Sequence, residues 1–318
     1  MSSPLIEFLM RELHMSERDV VRLINTAPER YKTYFIKKRR GGAREIAQPA
    51  RELKAAQRAL VRKFLADLPV HDCATAYRPG ASIRKNAEAH AHNRPILKYD
   101  FQEFFPSITE HAWLSYCEKH GIFDRSDAIR AGRLLFRRPK GGSILRLSIG
   151  APSSPILSNI LLNAFDTEIH KRVSAHKITY TRYADDMTFS ARRTGNLTVV
   201  DKIIRSVLNG MSSPKLKLNR DKTVLVTPKF HRQITGLVIT LDERVSIGRE
   251  RKRKLRAAIH RFSRDGLEQR EAAVLAGNLA FAKDVEPEFY TRMERVYGKA
   301  VLDELNACAA GYRRRRNG

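Results

Sequence analysis

Three aspartates carry the chemistry that this sequence could perform. Asp185 and Asp186 are adjacent at the centre of Ile178-Thr-Tyr-Thr-Arg-Tyr-Ala-Asp185-Asp186-Met-Thr-Phe-Ser190, and Asp100 closes a second apolar stretch, Pro95-Ile-Leu-Lys-Tyr-Asp100. Side chains on a strand alternate faces, so the first stretch predicts strand, tight turn, strand, with the pair at or beside the turn. Neighbouring carboxylates repel, and a fold gains nothing from holding them together unless a cation or strong donors sit between them. Two short strands presenting three carboxylates meet the requirement of a two-metal phosphoryl-transfer site. An isolated Asp-Asp pair is more often a solvated turn, because Asp bonds its own backbone there; the pair takes its meaning from its neighbours.

The elements that must position these residues follow from local signals. Ser2 or Ser3 before Pro4 opens a helix with the stripe Leu5, Phe8, Leu9 and Leu13, and Ser16 caps a second carrying Val20, Leu23 and Ile24. From Tyr31 to Lys63 there are eleven basic and two acidic residues, a net of +9. The centre of this segment, Lys37-Lys-Arg-Arg-Gly-Gly-Ala-Arg44-Glu-Ile, predicts a strand pair joined at Gly41-Gly42 and ended by Pro49. Most of these bases are a solvated face, but Arg44 beside a glycine turn can swing over a triphosphate. Leu53, Leu60 and Phe64 line the next helix, residues 127–137 are helical in pattern, and Lys140-Gly-Gly-Ser suggests a hairpin. Ser154 as cap and Pro155 at the first position start one long amphipathic run through Ile156, Leu157, Ile160, Leu161, Phe165 and Ile169. A helix from about Val199 to Leu208 precedes a turn into a strand carrying Lys222. Gln233–Ile239 and Val245–Gly248 pair as a hairpin, and from Arg249 the pattern is helical, broken at Glu286-Pro287. Residues 249–264 hold eight bases and one acid, and the tail Arg313-Arg-Arg-Arg316 reads as a disordered phosphate-binding end.

Sixty Lys plus Arg against 34 Asp plus Glu give 318 residues a net charge of +26 and a pI near 10.4, which implies a polyanionic partner. There is neither an apolar run long enough to span a bilayer nor a short basic amphipathic anchor, so nucleic acid is favoured and no membrane is expected. The N-terminus lacks the basic and apolar regions of a signal peptide, and Cys73, Cys117 and Cys308 form no metal-ligand spacing. A reduced, cytoplasmic protein is the expectation.

In this order the motifs resemble those of a reverse transcriptase, and more narrowly a bacterial retron-type one, from about Tyr34 to Tyr297. Tyr183-Ala-Asp185-Asp186 matches the family's tyrosine–x–Asp–Asp box, and Asp100-Phe-Gln-Glu-Phe-Phe-Pro-Ser the preceding aspartate motif. Gly150-Ala-Pro-Ser-Ser-Pro matches the glycine/serine–proline motif, and Leu218-Asn-Arg-Asp-Lys222-Thr the lysine motif. Asn86-Ala-Glu-Ala-His90 and Ile234-Thr235-Gly236 resemble two elements of the retron branch. One departure stands out: many relatives carry Leu-Pro-Gln before the motif glycine, where this chain has Leu147-Ser-Ile149, so a glutamine contact to the nucleotide sugar does not transfer.

The resemblance implies an α+β right-hand polymerase: N-terminal helices and fingers over 1–94, a palm over 95–240 with an interleaved fingers segment at about 107–149, and a helical thumb or RNA-recognition region over 241–318. It implies that Asp100, Asp185 and Asp186 hold two Mg²⁺ ions, with the Phe101 carbonyl completing one shell and Mn²⁺ as a substitute. Arg44, Gly150 and Lys222 would contact the nucleotide, and Phe105 would be the gate against a ribose 2′-hydroxyl. Asn86, His90, Thr235, Gly236, Arg251, Lys252 and Lys254 would meet nucleic acid. Further implications are copying of a dedicated noncoding RNA from an internal 2′-hydroxyl, giving branched multicopy single-stranded DNA, deoxynucleotide substrates, an effector or toxin partner, and antiphage defence. Rival readings are another bacterial reverse transcriptase (intron-like, diversity-generating or abortive-infection), a basic RNA-binding protein with an idle site, and a metal nuclease.

Overall fold

The computed structural model describes residues 3–37, 41–227 and 232–317, with side chains described through Tyr312. Ser3 and Ser16 cap α1 (Pro4–Leu13) and α2 (Glu17–Thr26) by accepting from Ile6 N and Asp19 N, and the two stripes bury Leu5, Leu9, Val20, Leu23 and Ile24. Strands β1 (Tyr31–Lys37) and β2 (Ala43–Pro49) form an antiparallel ribbon, and Gly41 and Gly42 take positive φ as the expected turn requires; Lys38, Arg39 and Arg40 lie outside the described residues. The chain continues through α3 (Arg51–Leu60), α4 (Ile83–Glu88), β3 (Ile96–Asp100), α5 (Phe104–Ser107), α6 (Glu110–His120) and α7 (Arg125–Leu135). Next come α8 (Ser154–Leu161), α9 (Asn163–Ser174), β4 (Thr179–Tyr183), β5 (Asp186–Ser190), α10 (Val200–Gly210) and β6 (Val224–Val226). Short strands β7 (Gln233–Ile234), β8 (Leu237–Ile239) and β9 (Val245–Ser246) precede α11 (Arg249–Asp265), α12 (Gln269–Val285), α13 (Pro287–Tyr297) and α14 (Lys299–Asn317).

Three local expectations are revised. The long run after Ser153 is two helices, α8 and α9, broken at Leu162 (φ −96°, ψ 1°), and the cap position is Ser153, whose side chain makes no capping bond; Ser154 is already inside the helix. Gln233–Ile239 is two strands, because Thr235 and Gly236 (φ +46° and +83°) make a tight turn between them. The backbone of Arg313–Arg316 continues α14 where a disordered tail was expected.

The described residues divide into two compact units that do not follow chain order. The first, from 1–81 and 95–225, holds the ribbon and a four-stranded sheet ordered β4-β5-β3-β6. Its core joins Leu5, Leu9, Leu53, Leu60, Trp113, Leu134, Phe165, Ile169, Met187 and Phe189, with α9 packed on β4. The second, from 82–94 and 226–318, packs α4 on the sheet β7-β8-β9 and gathers α11–α14 around Leu255, Ile259, Leu275, Leu279, Phe289 and Leu305. Segment 82–94 thus joins residues distant in sequence: Thr235 Oγ1 donates to Ile83 O at 3.4 Å, and Arg232 Nη1 donates to Asn93 O at 2.6 Å. Among the described residues no helix is long and apolar enough to cross a membrane.

Candidate active site

The antiparallel register of β3 on β5 sets Asp100 directly opposite Asp186. Strands β4 and β5 pair Tyr183 with Asp186, leaving Ala184 and Asp185 as a two-residue turn in which Ala184 takes φ +58°. Phe101 N–H donates to Asp185 O at 3.3 Å and ties that turn to the end of β3. On the far side, Asn219 N–H donates to Asp100 O (2.7 Å) and Gln102 N–H to Lys217 O (2.8 Å), so the turn before β6 delivers Lys222. Its ammonium donates to both carboxylate oxygens of Asp100 at 2.9 Å.

The electrostatics are those of crowded acids. Burial first, then the charge of Asp100, raises the Asp185 carboxyl above its ordinary range. Asp186, on the exposed rim, is raised to about 7 by desolvation, the charge of Asp185 and a hydrogen bond with the Asp100 carboxyl. Among the described residues no three His, Cys, Asp or Glu side chains stand as a ready metal cage. That does not argue against the site, because Lys222 provides the positive charge at Asp100 in this conformation. The donors are all hard oxygens, two of them raised by burial and by one another's charge, and they fit a hard divalent ion.

Asp100 and Asp185, but not Asp186, line a cavity of about 730 Å³ together with Arg44, Tyr77, Phe105, Ile149 and Lys222. Arg44, exposed on β2 opposite Ile36, therefore reaches the site as expected. Phe105 is half-buried, its ring centre 6.4 Å from that of Tyr77. Tyr77 escaped the sequence reading; burial and the charge of Asp185 raise its hydroxyl, and an aromatic residue beside Arg78-Pro-Gly carries no local signal of the site. Arg137, held by Glu45 at 2.7 Å, and Arg146, whose Nη1 donates to Pro106 O at 2.7 Å, also line the cavity and were missed.

Other expected contacts are placed differently. The Phe101 ring is core, stacked with Phe104 at 5.7 Å, so only its backbone belongs to the site. Gly150 does not line the cavity: at φ +122° it packs on β2, where a Cβ would come within 2.8 Å of Ala47 O. Asn86 and His90, expected on nucleic acid, are 1% and 0% exposed and serve the interior of the second unit. Thr235 and Gly236 form a turn, half-buried and exposed respectively. Lys252 is engaged by Glu286 and lies over the Phe289 ring, whereas Arg251 and Lys254 are exposed on α11, Lys254 paired with Glu250. Strand pairing thus brings Asp100, Asp185 and Asp186 to one strand end, while Asn86 and His90 lie buried in the second unit.

Residues 36–257 match the family model described as reverse transcriptase (RNA-dependent DNA polymerase). Retron Ec83 reverse transcriptase of Escherichia coli is 34% identical over 284 residues, spanning 88% of this chain and 91% of that protein. The chain belongs to the retron reverse transcriptases. Retron Ec86 reverse transcriptase, also of E. coli, is 31% identical across 89% of this chain and 87% of its own length. This reverse transcriptase is an RNA-directed DNA polymerase that works on an RNA template, and its family uses divalent metal ions. Its fold is shared with apo telomerase from Candida tropicalis (TM-score 0.51, 14% identity, covering 78% of this chain and 52% of that one), consistent with the right-hand α+β architecture.

Proposed function

We propose that this retron reverse transcriptase copies part of a dedicated structured noncoding RNA into branched multicopy single-stranded DNA, primed from a 2′-hydroxyl of that RNA, with Asp100, Asp185 and Asp186 holding two Mg²⁺ ions. One observation carries the site: strand register sets Asp100 opposite Asp186, while the Phe101 amide ties Asp185 to the same strand end. Bound Mg²⁺ supplies activation of the primer hydroxyl and charge neutralisation at the leaving pyrophosphate, and Mn²⁺ is its expected substitute. The Phe101 carbonyl is the remaining donor at this strand end.

The chain's own residues do the rest. Arg44 binds the triphosphate from the ribbon. Lys222 exchanges Asp100 for the triphosphate, where its Nζ proton is available to the leaving group. Phe105, backed by Tyr77, excludes a ribose 2′-hydroxyl and so selects deoxynucleotides. Residues 95–240 act as palm with a fingers segment at 107–149, residues 1–94 as N-terminal helices and fingers, and 241–318 as thumb, where Arg251 and Lys254 meet the phosphate backbone. An effector or toxin protein, cytoplasmic action and a role in antiphage defence complete the reading.

The test uses the full chain with its RNA. Asp185→Asn should lower DNA synthesis below about 1% of wild type, the loss expected when several kcal/mol of transition-state charge stabilisation is removed, while RNA affinity stays within a few-fold. Full synthesis by this variant, or cleavage of added nucleic acid without deoxynucleotides, overturns the proposal.

A further inference from the structure

The turn that presents Asp185 is held from inside the protein. Arg182 on β4 and Asp166 on α9 are both fully buried, with Nε donating to Oδ1 at 2.9 Å and Nη2 to Oδ2 at 2.5 Å. The third guanidinium nitrogen, Nη1, donates to Ala184 O at 3.0 Å. The backbone of Arg182 is fixed as well: its N–H donates to Cys73 O at 2.7 Å and its carbonyl accepts from Thr75 N at 2.8 Å. Asp166 also accepts the Tyr180 hydroxyl at 2.9 Å.

The bond to Ala184 is the one that an ion pair serving stability alone would not need. Ala184 is the first central residue of the turn and sits at φ +58°, a conformation that favours glycine. Turns of this kind have an alternative form reached by flipping the central peptide, here Ala184–Asp185. One end of that peptide is the Ala184 carbonyl gripped by Arg182. The other end is the N–H of Asp185, the residue that carries the carboxylate. The grip on the Ala184 carbonyl therefore fixes the peptide that leads directly into the Asp185 side chain.

We propose that Arg182, locked by Asp166, is a positioning residue for DNA synthesis that pins the Ala184–Asp185 peptide and thereby aims the Asp185 carboxylate toward Asp100 and Asp186. This inference rests on the reading of Asp185 as a cation ligand. A lysine at 182 keeps the buried charge beside Asp166, but one ammonium cannot reproduce the fork that spans Asp166 and the turn carbonyl.

The experiment compares Arg182→Lys with Trp113→Phe, which removes a remote buried hydrogen bond (Nε1 to Ala128 O, 2.9 Å) from the same unit. For each full-length variant one measures the melting temperature, Mn²⁺ affinity by electron paramagnetic resonance of the free ion, and kcat and deoxynucleotide KM on the RNA template. Both variants should melt lower. Arg182→Lys alone should bind Mn²⁺ about tenfold more weakly and lose about 10- to 100-fold in kcat, the range for residues that orient metal ligands, with KM within about twofold. Should it not fold, Asp166→Asn combined with Arg182→Gln leaves no buried charge and carries the same comparison. Wild-type Mn²⁺ affinity and kcat in the Arg182 variant, or equal losses in Trp113→Phe, overturn the proposal. Asp185→Asn separates the levels: if it too keeps Mn²⁺ affinity and synthesis, the reading of the site fails as well; if it loses both while Arg182→Lys matches Trp113→Phe, only the positioning role fails.

Discussion

Asp186 carries the most displaced carboxyl of the site, raised from 3.8 to about 7 by desolvation, the Asp185 charge and its bond with Asp100. A raised folded-state value means that the native protein holds a proton that the unfolded chain has released. The stabilising contribution is present in full below the unfolded value and is lost as pH rises through about 7. Metal-free wild type should therefore lose stability between about pH 5 and pH 8, and Asp186→Asn should flatten that dependence. Melting curves in chelator at the two pH values provide the check; parallel behaviour of wild type and variant contradicts the crowding. Divalent ions should abolish the slope in wild type, since a bound cation keeps the carboxylate ionised. Lys222, donating to both Asp100 oxygens at 2.9 Å, is the resident positive charge that such an ion must displace.

The elements around these residues were legible to different degrees. Strand alternation, the Ser3 and Ser16 caps and the glycine turn of the ribbon are local signals, and the structure reproduces each. The α8–α9 break was missed because the apolar stripe runs on through Leu162, and the Thr235-Gly236 turn because apolar residues flank it on both sides. Burial of Asn86 and His90 depends on β7–β9, nearly 150 residues away, and no spacing within the segment announces it. Gly150 shows the same limit: its motif pointed to the nucleotide, whereas its φ of +122° and its approach to Ala47 O make it a seam between strand β2 and the Ile149 backbone, joined by Ala47 N–H to Ile149 O at 2.7 Å. Gly150→Ala should cost about 1–3 kcal/mol from strain and overpacking, read as a lower melting temperature. Because Arg44 lies on the displaced strand, deoxynucleotide KM should rise too. An unchanged melting temperature contradicts the seam.

Over the whole molecule, a net charge of +26 favours a polyanion almost anywhere on the surface, but a basic surface alone does no chemistry. What distinguishes a polymerase from a basic RNA-binding protein is the strand end where Asp100, Asp185 and Asp186 come together, with Arg44 and Lys222 lining the same cavity as Asp100 and Asp185. Family membership follows from similarity across most of the chain; joint cation binding by these side chains is the claim on which the mechanism depends. Crystals of the full chain soaked in Mn²⁺ and measured at the manganese absorption edge test it most directly. Anomalous peaks should lie within coordination distance of Asp100 and Asp185, and Asp185→Asn should remove or weaken them. Peaks confined to other surfaces, or none at saturating Mn²⁺, would contradict the account.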